Sequence, residues 1–257
     1  MAKKIKGQVT IWVVVAVILV SSIILFFFIE RGPEPGRVSG GVSGFDAQTF
    51  LSNCIIPEVE RNVNLMLPQG GFIQPESSVF FDNLEIEYLC KNDGFYEPCI
   101  QQHPRLLSEM EEEIHISVLP KIVSCFDEME EVFEDRGSEV VYDGAVELEV
   151  DSASDVIYLN IKRKTSIGKE GEVRRFDNFV IEIKNPMHNL GSIAIEIADQ
   201  EARYCNFEYV GYGILYPRYR ISKSVSSNQD KIYNIEDLKS GKEMNIAIRG
   251  CAIPAGF

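Results

Sequence analysis

The chain has no CxxC pair, no HExxH, no GxSxG, no P-loop and no GxGxxG. It therefore lacks the compact motifs of structural zinc sites, metalloproteases, α/β-hydrolases and nucleotide or dinucleotide binding. Only 3 His and 1 Trp occur in 257 residues, and the His are dispersed, which is poor material for an imidazole-based metal centre. No N-x-Ser/Thr sequon is present, so N-linked glycosylation is excluded. Positive charge is also scarce: Lys plus Arg total 25 against 39 Asp plus Glu, a net charge of −14. Such a chain repels phosphate backbones, and nucleic acid is not an expected partner. What remains, 45% hydrophobic and 25% charged, is a globular composition rather than a disordered or low-complexity one.

One stretch lacks charge altogether. From Gln8 to Ile29 the chain reads QVTIWVVVAVILVSSIILFFFI, 22 residues, and at ~1.5 Å per helical residue it spans a hydrocarbon core of roughly 30 Å. In lipid a backbone must satisfy its own hydrogen bonds, so a transmembrane helix is expected. Lys3, Lys4 and Lys6 precede the run, whereas Glu30 and Arg31 cancel beyond it. The positive-inside rule then puts the N-terminus in the cytoplasm and residues 31–257 outside, a single-pass topology in the cell membrane. Trp12 suits an interfacial anchor. A cleaved secretory signal needs a shorter apolar core ending at a small-x-small site. Here Ser21 and Ser22 lie inside the run and Phe26, Phe27 and Phe28 follow them, so an uncleaved anchor is favoured.

In KKIKGQVTIW a basic patch, Gly7 and the polar Gln8 directly precede the apolar helix. This arrangement resembles the class III signal of archaeal type IV pilin-like proteins. The resemblance implies processing between Gly7 and Gln8 and an apolar helix that serves as a filament core. Trp12 occupies the position where pilin-like helices carry a Glu, which removes the carboxylate that pairs with a neighbour's new N-terminal amine.

Beyond the membrane run, residues 31–44 (RGPEPGRVSGGVSG) hold five Gly, two Pro and two Ser, a flexible linker. The rest divides by charge: residues 45–151 carry 24 acidic and 5 basic side chains, net −19, and residues 152–257 carry 13 acidic and 15 basic, net +2. In FDAQTFLSNCIIPEVERNVNLML, Phe50, Cys54, Val59, Val63 and Met66 recur near helical spacing, with Pro57 expected to kink or restart the helix. Strands and turns follow, with Asn92-Asp93-Gly94 at a hairpin tip. A long amphipathic helix comes next, with Leu106, Met110, Ile114, Val118, Ile122, Cys125 and Phe126 on one stripe and Pro120 expected to bend it. After Gly137 the period becomes two, predicting three antiparallel strands with turns at 151–155 and 168–171, then a helix facing Ile193, Ile197 and Ala198 inward, then further strands with a turn at Lys239-Ser240-Gly241. The expected organisation is a basic tip and transmembrane helix (1–30), a linker (31–44), an acidic helical and hairpin region (45–137) and an antiparallel α+β region (138–257). The fold class is α+β, with helices packed on an antiparallel sheet. KGQVTIW with its apolar helix, a short helix bearing one Cys, GGFI-x-P and a late NIAIRGC strand together resemble a family of uncharacterised archaeal membrane-anchored surface proteins. That family carries no assigned activity, so the resemblance implies location and architecture but no catalytic residues.

Six Cys, all outside the apolar run, read as disulfides on an external domain. Six allow 15 complete pairings. Cys90 and Cys99 flank the KNDGFYEP turn and form the expected local pair. Cys54 and Cys125 each lie on a helical stripe that one bridge would staple, and Cys205 and Cys251 remain. His103, His115 and His188 sit at helix starts or on a charged helix side, and a Ser–His–acid site would have to be assembled by the fold. The acidic runs 109–115 and 126–135 lie on helices, where carboxylates point radially and cannot wrap one calcium ion. No metal, cofactor or catalytic residue is therefore expected. Residues 204–219 carry Tyr204, Phe207, Tyr209, Tyr212, Tyr216 and Tyr219, interleaved with two Gly and one Pro. Such a segment serves either as a partner surface or as a loop covering the core.

The chain thus reads as an anchored structural or interaction protein of the cell surface, pilin-like and self-assembling or bound to another surface protein. An anchored ligand- or glycan-binding receptor is the alternative. The topology has a direct check: protease added to intact cells should digest residues 31–257, and a protected domain would refute the external assignment.

Overall fold

The computed structural model describes residues 46–94, 96–226 and 228–251. The expected transmembrane helix, the linker, Gly7 and Gln8 lie outside these residues. Among the described residues no helix is long and apolar enough to cross a membrane. Internal contacts separate residues 1–44 from 45–257, and the whole core described below, with all the disulfides, belongs to the second unit.

Helix α1 (Ala47–Met66) starts where Asp46 caps it, its carboxylate accepting from the Gln48 amide at 3.2 Å. Leu51, Ile55, Val59, Val63 and Met66 recur on one face and are buried. Helix α2 (Leu106–Glu134) buries the whole expected stripe from Leu106 to Phe126 and continues it through Met129 and Phe133. Neither proline ends its helix: Pro57 and Pro120 both sit at exposed positions, where water satisfies the carbonyl that each proline leaves unpaired. The two helices pack together and are joined by the Cys54–Cys125 disulfide and by Asn62 Nδ2 donating to Ser117 Oγ at 3.1 Å.

Strands β4 (Glu139–Ala153), β5 (Val156–Lys169) and β6 (Glu172–Lys184) form the expected antiparallel sheet in the order β4-β5-β6. Period-two alternation turns Ile157, Leu159, Ile161, Phe179, Ile181 and Ile183 inward, while Lys162 on the outer face pairs with Glu149.

The second sheet differs from expectation. It contains β1 (Ser78–Phe81), β2 (Leu84–Lys91), β3 (Ile100–Gln101), β7 (Tyr219–Val225), β8 (Lys231–Asp237) and β9 (Lys242–Arg249). The order is β1-β2-β9-β8-β7, with β3 also on β2. It is mixed rather than antiparallel because β2 and β9 run parallel. The physical reason lies in β2, whose residues Ile86 to Cys90 are buried without a break. A strand covered on both faces belongs in a sheet interior, which here only a sequence-distant strand completes.

Helix α3 (Met187–Tyr204) directs Ile193, Ile197 and Ala198 inward, as expected, and approaches α2 closely at Gly191, where an added Cβ would lie 2.8 Å from Leu107 Cδ2. Helix α4 (Tyr209–Leu215) follows. An ion-pair node ties the sheets together. Arg218, just before β7, donates through Nε to the buried Asp237 at 2.6 Å and through Nη1 to Asp155, in the β4–β5 turn, at 3.0 Å. Hydrogen bonds from Arg218 and from Lys239 (3.0 Å) hold the Asp155 carboxyl at a pKa of about 2, below its ordinary 3.8.

The structure pairs the cysteines as Cys54–Cys125, Cys90–Cys99 and Cys205–Cys251, the pairing expected from the sequence. The first and second close separations of 71 and 9 residues. In the chain-entropy picture, replacing the first pair by serines should cost about 4 kcal/mol and the second about 3 kcal/mol. Denaturant unfolding of the two double variants checks the order; equal losses would refute a loop-length origin.

Candidate functional site

Three places bring together side chains with chemistry. The first is a cleft of about 560 Å³ between the start of α2, β2 and the loop that follows α1. Phe72, Gln74, Glu76, Glu87, Gln102, His103, Glu109 and Glu113 are among its lining. His103 is its centre. Its Nδ1 lies 2.6 Å from Glu109 Oε2 and its Nε2 3.5 Å from Glu87 Oε1, and its ring packs on Phe72 with centroids 4.7 Å apart. Glu87 is 2% exposed and also takes the Ser77 amide at 3.0 Å on each oxygen. Burial alone would lower the His103 pKa, but the hydrogen bonds and charges of Glu87 and Glu109 outweigh it and raise the pKa above the ordinary 6.5. With both ring nitrogens engaged by carboxylates, His103 holds a proton and clamps β2 to α2. It offers no free lone pair to a metal or a nucleophile.

The second place joins α2, β4 and α3. Ser152 Oγ donates to Glu111 Oε1 at 2.6 Å and lies 3.2 Å from His188 Nδ1, and the Ser152 amide donates to the same Glu111 oxygen at 2.8 Å. In a hydrolytic triad the imidazole sits between acid and hydroxyl and removes the hydroxyl proton. Here the hydroxyl sits between acid and imidazole and donates its hydrogen bond to the acid. The cluster fastens three elements and does not activate Ser152.

The third place is the tyrosine-rich segment, which is helical at α4 rather than a loop. The Glu208 carboxylate accepts from the Gly211 amide at 3.2 Å and starts the helix despite two glycines. The six aromatics separate. Phe207 does not belong to any surface: it is buried edge-on against Tyr233, at 6.1 Å between centroids. Tyr209, Tyr212 and Tyr219 are half-buried against the core, and burial together with the neighbouring Glu196 raises the Tyr212 pKa. Tyr204 and Tyr216 are exposed. Beside them stand three aliphatic residues that an aromatic-centred reading of the sequence passes over: Val210 at 58% exposure, Ile214 at 77% and Leu215 at 75%. The spacing of Val210 and Ile214, with no charged residue from Tyr209 to Pro217, was the available sign of an apolar helix face. The cleft was less visible, because Glu87 and Glu109 flank His103 from 16 residues before it and 6 after it.

No family model matches the chain, and no curated protein or solved structure matches it. Function therefore rests on these three places.

The cleft makes a pH prediction. Because folding raises the His103 pKa, its stabilising contribution is complete below about pH 6.5 and is lost as pH rises through the folded-state value. The melting-temperature gap between wild type and His103→Gln should shrink from pH 5.5 to pH 8.5; a gap that widens on the alkaline side would refute the clamp.

Proposed function

We propose that the chain is a single-pass, membrane-anchored protein of the cell surface that acts by contact, with α4 as its contact surface. One observation carries this: Val210, Ile214 and Leu215 stand exposed on one short helix, framed by the exposed Tyr204 and Tyr216. Soluble domains rarely leave such contiguous apolar surface to water unless it meets a partner, and tyrosines bring large contact area with a hydrogen-bonding tip. The Cys205–Cys251 bridge and the Arg218 node fix the chain on either side of α4, so the helix is displayed in a defined orientation. The three disulfides support an extracellular location. The charge-free run from Gln8 to Ile29 supports the anchor, and KKIKGQVTIW the pilin-like character.

A ligand- or glycan-binding receptor is the second reading, favoured by the cleft. Its carboxylates and the Gln74 and Gln102 amides can accept from and donate to sugar hydroxyls around the Phe72 ring.

The test is an Ile214→Asp, Leu215→Asp variant displayed on cells and treated with a surface crosslinker. Its melting temperature should hold, since exposed substitutions change stability by about 0.5 kcal/mol or less, and its crosslinked adducts should vanish. Unchanged adducts would refute α4 as the contact surface.

A further inference from the structure

Strand β6 ends the three-stranded sheet, and no strand among the described residues pairs with its second edge. Such an edge presents a row of amide and carbonyl groups, which soluble proteins blunt with short strands, prolines or bulges. The opposite edge is blunted: β4 has a register shift between Asp143 and Glu147, around Gly144 in the left-handed region (φ 87°). The edge strand β7 of the other sheet has only 7 residues. Strand β6 has 13 residues without proline or glycine, and the extra residue of the one shift in its pairing lies on β5.

The direction of its backbone groups follows from two hydrogen bonds. The Asn185 amide donates to the Asp155 carbonyl at 2.8 Å, so odd-numbered residues of β6 face β5. Gln48 Nε2, at the start of α1, donates to the Val180 carbonyl at 2.7 Å, which is turned the other way. The amides and carbonyls of the even-numbered residues from Glu172 to Lys184 therefore point to the free edge.

We infer that β6 pairs antiparallel with β6 of a second copy of this chain, about a two-fold axis at Asn178, which joins two three-stranded sheets into one. The side chains fit this register. Glu172 meets Lys184, Arg174 meets Glu182, Phe176 meets Val180, and Val173 meets Ile183. Val173 (60% exposed) and Val180 (46% exposed) each gain an apolar neighbour. The four charged residues are exposed, and none is in an ion pair among the described residues. On β5 they face Lys169, Ile167, Tyr158 and Val156, so only Glu172 has a charge opposite it within one copy. Moving the axis by one residue sets Glu172 opposite Glu182, or Arg174 opposite Lys184, and like charges directly opposite are destabilising. The signs along β6 thus select one register, and in it every charged pair is opposite in sign. Gln48 yields the Val180 carbonyl to the second copy's Phe176 amide. The contact is isologous and closes at two copies.

The test uses residues 45–257, which hold the entire core and all three disulfides, at up to about 1 mM, the effective concentration that a short tether imposes. In sedimentation velocity the wild type should pass from monomer to dimer and no further. Arg174→Glu and Glu182→Arg should each associate at least tenfold more weakly at an unchanged melting temperature, because each sets like charges opposite one another twice per dimer. Their equimolar mixture should dimerise as the wild type does, since every pair is then opposite in sign. In the wild-type dimer the Asn178 and Val180 amides should exchange with solvent more slowly than in the monomer. Helix α4 takes no part: the Ile214→Asp, Leu215→Asp domain should dimerise like wild type, and the adducts that report α4 on cells are those beyond this dimer. A monomeric wild type, a dimer unmoved by either charge variant, or a mixture no tighter than its parts would each overturn the inference. So would unchanged amide exchange, or a dimer lost with the α4 substitutions.

Discussion

The parallel pairing of β2 with β9 is the constraint on which the other arrangements depend. It sets Tyr88 beside Ala247 and Lys91 beside Arg249, joining a strand from the acidic part of the chain to the last strand of all. The pairing continues past the strands, with the Asn92 amide donating to the Arg249 carbonyl at 2.9 Å and the Cys251 amide to the Glu97 carbonyl at 2.8 Å. Gly250 makes this approach feasible, since a Cβ there would lie 2.8 Å from the Cys99 backbone nitrogen. The Cys90–Cys99 loop therefore lies against the end of β9. Cys251 is then in position to reach Cys205, which ends α3 in a left-handed conformation (φ 57°) immediately before α4. The display of α4 follows from a pairing whose first strand, β2, ends more than 100 residues before it in sequence.

Charge is distributed on different principles in the two parts of the chain. Around β8 each buried acid has a cation or hydroxyl: Asp237 has Arg218, Asp230 has Arg249 at 2.7 Å, and Glu201 has Lys231 and the Tyr233 hydroxyl. Removing one partner from such a pair leaves an uncompensated buried charge, so the groups act as a set. The near-neutral balance of residues 152–257 is therefore largely an internal neutralisation. On α2 the acids lie mostly in water and repel one another, which leaves that helix open to an external counter-charge.

Much of this was legible in the sequence, and the exceptions have physical causes. The stripe from Leu106 to Phe126 and the alternation in β4 to β6 are local periodicities that survive folding unchanged. The cysteine pairs were readable because each lay beside an element or turn whose position was already implied. The β2–β9 pairing was not, because a strand buried on both faces carries no mark of its partner or direction. Helix α4 was hidden by Gly211 and Gly213, whose low helix propensity is overridden by the Glu208 cap and by packing of Tyr212 on Phe207. The His103 clamp was hidden because its carboxylates come from two different elements.

The disulfide connectivity has a consequence for biogenesis. Cys90–Cys99 is nested inside Cys54–Cys125, whereas Cys205–Cys251 stands apart. With the N-terminus held in the cytoplasm and the following residues crossing in order of synthesis, as the expected topology requires, Cys54 and Cys90 would reach the oxidising side while Cys125 was still to come. Pairing in order of arrival would give Cys54–Cys90, a bond that would hold α1 to β2 and keep Cys54 from Cys125. The native set therefore requires either that α1 and α2 pack before Cys54 bonds elsewhere or that thiol exchange undoes an early Cys54–Cys90 bond, a step of seconds to hours.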